Sequence, residues 1–254
     1  MKERIIVITG ASGGIAEAMI KRLPQTDQLV LLGRSKEKLE TMYAHRRPVS
    51  CFSVDITDDK ALKAIVDTIY QQFGRIDIFI NNAGFGEFKD FDQFSNSDIR
   101  EMFDVNTLAT INFSRLVGQR MAEAGKGHIV NIASMAGLIA TNKSTIYSAT
   151  KFAVIGFSNA LRLELADKGV YVTTVNPGPI ATKFFDKADP SGNYLKSIEE
   201  FTLQPSDVAK KIIALLGKNK RELNLPWTLR AAHKAYSLFP RLSDFLARKV
   251  FNYK

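Results

Sequence analysis

Apolar residues along the chain fall into short, nearly unbroken runs, separated by longer stretches in which they recur every three or four positions. The runs are Arg4–Thr9, Leu29–Gly33, Val49–Val54, Asp77–Asn81, Gly127–Ala133 and Val170–Val175, with a weaker one near Glu222–Leu225. Rich in β-branched residues, they predict strands buried on both faces. Between them the helical period marks Gly14–Leu23, Lys36–Ala44, Asp58–Phe73, Asp98–Ala124, Thr145–Lys168 and Ser206–Leu216. This alternation predicts an α/β fold: a doubly wound parallel sheet of Rossmann type, with helices on both faces and right-handed crossovers. No repeat and no Ser/Gly-rich or Pro-rich linker divides the chain, so residues 1–225 read as one domain and 226–254 as an appended segment. Ligands of such sheets sit beyond the carboxyl ends of the strands, where strand order reverses.

Composition narrows the class. With 45% hydrophobic residues in a chain of 254, a large core is available, and 16 Gly and 8 Pro exclude collagen-like or low-complexity readings. No stretch free of charge and histidine exceeds 14 residues, as in Ile129–Asn142, whereas a spanning helix needs about 20. Met1-Lys2-Glu3-Arg4 runs straight into Ile5-Ile6-Val7-Ile8 without the long apolar core of a secretory signal, which predicts a cytoplasmic protein. The one cysteine, Cys51, lies in an apolar run and reads as an inert core thiol. His45, His128 and His233 are far apart and show no metal spacing, so no metal site is expected.

Candidate chemistry clusters at strand ends. The first strand closes in Thr9-Gly10-Ala11-Ser12-Gly13-Gly14-Ile15-Ala16. Glycines there permit close backbone approach, and a following helix start favours a phosphate. A mere tight turn is the alternative, while a P-loop is excluded because no Gly-Lys-Ser/Thr follows. The second strand ends in Gly33-Arg34-Ser35, with Lys38 a turn later. A carboxylate at that point would suit the ribose hydroxyl of NAD, whereas an arginine suits the 2'-phosphate of NADP, so NADP(H) is favoured over a simply solvated Arg34. Tyr147 and Lys151, four apart in a helix, share one face, and a nearby ammonium lowers a phenol toward the range useful for proton transfer. Ser134 ends an apolar strand, where its hydroxyl can meet a substrate oxygen. Alone, each of these signals is weak.

Together, Thr9-Gly10-x-x-x-Gly14-x-Ala16, Asn81-Asn82-Ala83-Gly84, Asn106, Ser134, Tyr147-x-x-x-Lys151 and Pro177-Gly178-x-Ile180-x-Thr182 resemble the short-chain dehydrogenase/reductase family, from about Arg4 to Leu225. Ala16 stands where that family usually has a third glycine. The resemblance implies that Gly10, Ser12, Gly13, Gly14 and Ile15 line the pyrophosphate turn and that Asp55 receives the adenine amino group. It implies that Asn82, Ala83 and Gly84 pass the adenosine side, and that Pro177, Gly178, Ile180 and Thr182 hold the carboxamide. Tyr147 and Lys151 would also bind the nicotinamide ribose, and Asn106 would anchor a water in the proton relay. The implied reaction is hydride transfer between NADP(H) and a carbonyl or alcohol, with Tyr147 as acid/base. A catalytically idle NADP-sensing or partner-binding protein on the same fold is the rival reading.

The rest is more open. Glu87, just after the Asn-Asn-Ala-Gly turn, reads as a solvent-facing loop acid, with a place at the border of the substrate pocket as the alternative. Leu108, Ile111, Phe113 and Leu116 make the helix around Asp98–Ala124 apolar all round, which fits a homodimer or homotetramer interface, as the resemblance also implies, or burial within one chain. Phe184 and Phe185, before the polar stretch Asp189-Pro190-Ser191-Gly192-Asn193, lie where the resemblance places a substrate lid, and suggest an apolar wall. The net charge of +9 is concentrated in Gly217–Lys254, with nine Lys or Arg against two acids. There Leu242, Phe245, Leu246 and Val250 fall at helical spacing beside Arg241, Arg248 and Lys249, and Phe251 follows. A basic amphipathic helix of this kind suits peripheral contact with an anionic membrane or packing on the core or a sister subunit. Nucleic acid is not expected, since no recognition module accompanies the charge.

Overall fold

A computed structural model describes residues 3–189, 192 and 201–249. Seven strands form one parallel sheet: β1 Ile5–Thr9, β2 Gln28–Gly33, β3 Val49–Ser53, β4 Ile78–Asn81, β5 Gly127–Ile132, β6 Val170–Pro177 and β7 Glu222–Leu225. Their order is β3-β2-β1-β4-β5-β6-β7. Ile6 of β1 stands in register with Leu29 of β2 on one side and Ile78 of β4 on the other, so strand order reverses between β1 and β4. The carboxyl ends of these strands flank the crevice where a ligand belongs.

Strand periodicity divides the core. Ile6 and Ile8 face α1 (Gly14–Ile20), α2 (Lys36–Met42) and α8 (Pro205–Leu215), through Met19, Leu39 and Ile212. Ile5 and Val7 face the opposite layer of α3 (Asp59–Phe73), α5 (Ala109–Glu123) and α6 (Thr145–Leu165), through Leu62, Phe113 and Leu161. Both faces being covered explains why the strands read as continuous apolar runs rather than alternating ones. Cys51 is buried, and burial pushes its thiol up, as a core thiol requires.

The long helix predicted over Asp98–Ala124 is a correction. Its first part, α4 (Asn96–Phe103), starts earlier because Ser95 and Asp98 form a reciprocal capping box. A π turn over Asp104–Leu108 then separates it from α5. The wider turn accommodates one extra residue, which rotates the following stripe by about 100° and leaves Asn106 buried while Leu108 is exposed. Periodicity alone does not register such an insertion. Elsewhere the boundaries shift modestly: α1 stops at Ile20 ahead of Pro24, and Ala166–Lys168 is a separate 3₁₀ turn after α6. A short α7 (Phe184–Ala188) follows β6, and α9 (Trp227–Leu238) and α10 (Pro240–Lys249) follow β7. Pro190, Ser191, Asn193, Val250 and Phe251 lie outside the described residues.

His128, one of the three histidines without metal spacing, ties the sheet together. Its Nδ1 accepts from the Gly217 N–H at 2.9 Å, and its Nε2 meets Thr173 Oγ1 at 2.8 Å. Thr173 Oγ1 in turn donates to the Lys220 carbonyl, so the network requires the neutral ring protonated at Nε2. Burial holds the imidazole down from 6.5 to about 4. Because the unfolded chain binds the proton more tightly, this contribution to stability is complete above pH 6.5 and is lost as pH falls toward 4. The loss amounts to about 3 kcal/mol. Urea unfolding of a His128→Gln variant is expected to show a shallower acid slope over that interval than the wild type; equal slopes would contradict the assignment.

Candidate active site

The ends of β1 and β4 are stitched together. Thr9 Oγ1 accepts from the N–H groups of Asn82 and Ala83, each at 3.0 Å, while Asn82 Nδ2 donates to the carbonyls of Thr9 and Gly10 at 3.1 and 3.0 Å. Gly10 has φ +60°, and a Cβ there would lie 2.7 Å from Ala83 Cα, so both conformation and space demand glycine. Gly13 caps α1, Ser12 is exposed on the turn, and Ile15 borders the adjoining cavity. Thr182 closes over Gly14, where a Cβ would meet its Cγ2 at 2.6 Å. Ala16, at the departure from the family pattern, is fully buried without displacing these contacts.

At the ends of β2 and β3, Ser35 caps α2 by accepting from the Lys38 N–H, and the Arg34 side chain is exposed. Asp55 Oδ1 accepts from the backbone and hydroxyl of Thr57, which, with the charge of Arg34, hold its carboxyl below the usual range. The Pro177–Thr182 segment is anchored by Gly178 N–H to the Leu225 carbonyl at 2.7 Å and by the pairing of Ile180 with Leu203.

Beside this crevice lies an open cavity of about 460 Å³ bordered by Ser134, Tyr147 and Lys151. Ser134, in extended backbone after β5, accepts from the Ala136 N–H at 3.1 Å, donates to the Pro177 carbonyl at 3.4 Å, and acts on the Tyr147 phenol by lowering its pKa. The α6 helix puts Tyr147 and Lys151 on the face turned to β5, where Lys151 Nζ donates to the Ile132 carbonyl at 3.1 Å. Gly137 lets α6 approach this closely, since a Cβ there would lie 2.7 Å from the Lys151 carbonyl. Asn106 Oδ1 accepts from the Phe85 N–H at 2.9 Å, and its Nδ2 donates to the Phe85 carbonyl at 2.8 Å and to Thr150 Oγ1 at 3.1 Å. The Asn106 amide is thus committed to the loop after β4 and to α6, rather than aimed at Tyr147.

Burial dominates the electrostatics. Loss of solvent pushes the Tyr147 phenol up to about 12, opposed by the polar interaction with Ser134, and pushes the Lys151 ammonium down to about 8. The ammonium lies 5.8 Å from the tyrosine ring centroid. Desolvation of both groups therefore outweighs the lowering of the phenol that their spacing predicts. Below about pH 8 the pair is a neutral phenol beside a cation, the state in which tyrosine can donate a proton.

Phe88 and Gly86 are not legible in the sequence. Phe88 meets the Tyr147 ring edge-on at 5.9 Å, and Phe184 packs against it at 5.7 Å. Gly86 makes room for Phe184 and Tyr147, since a Cβ there would lie 2.8 Å from Phe184 Cζ and 3.1 Å from Tyr147 Cδ2. Phe184 and Phe185 do form an apolar wall. Glu87 is no free loop acid: it pairs with Lys89 and Lys187, each at 3.3 Å.

The short chain dehydrogenase family model matches residues 4–192. An uncharacterized oxidoreductase of Staphylococcus aureus (strain USA300) is 32% identical over 223 residues, which covers 87% of this chain and 94% of its own. Another, from Staphylococcus epidermidis, is 34% identical over 195 residues, 74% of this chain and 83% of its own. ElxO with NADP bound superposes with a TM-score of 0.79 at 28% identity, over 88% of this chain and 97% of that one. A short-chain dehydrogenase from Streptomyces avermitilis shares the fold, with a TM-score of 0.83 over 98% of both chains at 24% identity.

Proposed function

The chain belongs to the short-chain dehydrogenase family, and from that premise we propose that it is an NADP(H)-dependent oxidoreductase acting on a carbonyl or secondary alcohol. The observation that carries the reading is the convergence of Ser134, Tyr147 and Lys151 on one cavity wall. The residues present fit the cofactor: at Gly84, beside the cavity, a Cβ would lie a tight 3.0 Å from Asn106 Oδ1 and would fill the space in front of Lys151 Nζ, and Arg34 leaves an exposed guanidinium at the end of β2. Gly10, Ser12, Gly13, Gly14 and Ile15 would hold the pyrophosphate side, Arg34 and Ser35 the 2'-phosphate, and Asp55 the adenine. Asn82, Ala83 and Gly84 would border the adenosine side, and Pro177, Gly178, Ile180 and Thr182 the nicotinamide. When bound, NADPH supplies the hydride. Ser134 Oγ holds the carbonyl oxygen, and Tyr147 Oη gives that oxygen a proton in reduction and takes one back in oxidation. Lys151 keeps a cation beside the phenol, and Asn106 holds the Phe85 loop and α6 in register; a relay water on Asn106 is part of the same proposal.

The test is NADPH consumption against a panel of ketones, aldehydes and keto-acyl thioesters, repeated with NADH. NADPH is expected to be preferred, and Arg34→Ala to raise its KM by roughly ten- to a hundredfold, the worth of a charged hydrogen bond, while sparing NADH. Equal use of both cofactors would refute the role of Arg34. Tight NADPH binding without consumption on the whole panel would favour the idle sensor.

Exposed apolar surfaces support association. Phe152 and Leu163 share one face of α6, with Gly156 leaving the space between them open; Leu163 is 76% exposed. That stripe suits a second copy, in a homodimer or homotetramer. No helix among the described residues is long and apolar enough to cross a membrane. On α9 and α10, however, Trp227, Leu238, Phe239, Leu242 and Phe245 are exposed among Arg230, Lys234 and Arg241, a combination suited to lying on anionic lipid. Sedimentation velocity is expected to show an oligomer that Leu163→Glu splits into monomers. Phosphatidylglycerol vesicles are expected to carry the full chain at low salt and release part of it at high salt. A monomeric wild type contradicts the first expectation, and absence of flotation at either salt the second.

A further inference from the structure

The cavity does not end at Ser134. It runs on under α9, where Leu229, Ala232, Ala235 and Tyr236 border it, and reaches Ser243 of α10, with Phe201 also at its edge. The helix is pinned above it at two points. Leu229 sits over Gly178, where a Cβ would lie 2.8 Å from Leu229 Cδ1, and His233 Nδ1 meets the Leu138 carbonyl at 3.2 Å, a contact that requires the proton on Nδ1. One anchor thus comes from the segment after β6 and the other from the turn that carries Ser134.

Two features define what would fit beneath this roof. Among the described lining residues the only charged side chain is Lys151, already hydrogen-bonded to the Ile132 carbonyl. A carboxylate or phosphate on the body of a substrate would find no further cation among the described lining residues, and burying such a charge without a partner is costly. Moreover, α9 buries none of its residues, so its cavity-facing apolar side gains little from the protein itself. An apolar occupant would supply the burial that the helix otherwise lacks.

We propose that α9 is the wall of a substrate chamber that takes the uncharged alkyl body of a long-chain ketone or secondary alcohol and discriminates by its length. The proposal rests on the reading of Ser134 and Tyr147 as the carbonyl site. Polar groups at the inner end hold the oxygen, and the chain extends outward between Phe184 and the Leu229–Tyr236 side of α9.

Calorimetric titration of 2-butanone, 2-hexanone, 2-octanone and 2-decanone into the full-length protein, with and without saturating NADP+, tests it. Affinity is expected to rise by about fourfold per methylene until the chain outgrows the chamber. The ketone 7-oxooctanoate, with its terminal carboxylate, is expected to bind at least roughly tenfold more weakly than 2-octanone, reflecting the cost of burying a charge. Ala232→Trp is expected to end the rise at a shorter chain, and Ala232→Asp to weaken 2-octanone at least tenfold. Ala232 is solvent-accessible, and thermal melting checks that both variants stay folded. A flat series, or one unchanged by both variants, overturns the proposal. A rising series with no NADPH consumption on 2-octanone upholds the chamber and removes the carbonyl-reductase reading. Equal consumption on 2-butanone and 2-octanone, without length-dependent binding, does the reverse.

Discussion

A Tyr147→Phe variant is expected to reduce carbonyl substrates roughly a thousandfold more slowly than the wild type, the scale of a lost general acid. The substitution removes one oxygen and leaves the ring. Contacts with Phe88 and Phe184, at centroid distances of 5.9 and 5.7 Å, are made by the ring itself and persist. The proton donor and its polar interaction with Ser134 are what disappear. Stability is therefore expected to change by no more than about 1 kcal/mol, the net worth of one hydrogen bond, and NADPH binding to remain largely intact. Stopped-flow reduction together with fluorescence titration of NADPH checks both halves. Undiminished turnover contradicts the role of Tyr147, and loss of NADPH binding shows that the phenol acts chiefly on the cofactor.

The second large effect is expected at Asn106. Its fully buried amide makes three hydrogen bonds, two of them to the backbone of Phe85, and Thr150 Oγ1, its third partner, donates onward to the Tyr147 carbonyl. Asn106→Ala leaves the Phe85 N–H and carbonyl without these partners, at a cost of about 3 kcal/mol for the pair. In a chain of this length that corresponds to a fall in melting temperature of roughly 10 °C. Asn106→Asp keeps an acceptor for the N–H but turns a second oxygen toward the Phe85 carbonyl, so it is expected to rescue little. Below the lowered melting point the Asn106→Ala variant should still show a reduced kcat, because the loop beside Gly84 and the α6 turn carrying Tyr147 lose their common anchor. Denaturation midpoints and kcat at 15 °C provide the check; a variant as stable and as active as the wild type would contradict it.

These effects trace back to what the chain makes legible. Strands covered on both faces appear as unbroken apolar runs, and the residues after them, Gly10 to Gly14, Asn82 to Gly84, Ser134 and Pro177 to Thr182, stand at carboxyl strand ends flanking the crevice. The pairing of Tyr147 with Lys151 follows from helix geometry alone. Other features depend on tertiary contacts that periodicity does not encode. The π turn at Asn106 serves partners 21 and 44 residues away, and the seat of α9 on Gly178 depends on a leucine 51 positions later. Spacing also gives charge proximity without burial, which is why it anticipates a lowered phenol where desolvation raises it.

Isotope transfer addresses the chemistry most directly. The protein is incubated with NADPH deuterated at the transferable C4 position and with each carbonyl of the panel, and the alcohol formed is analysed by mass spectrometry. The account predicts one deuterium on the former carbonyl carbon with the wild type and almost no labelled alcohol with Tyr147→Phe. Bound NADPH that yields no labelled alcohol from any ketone, aldehyde or thioester, or labelling that is as fast without the Tyr147 hydroxyl, would contradict it.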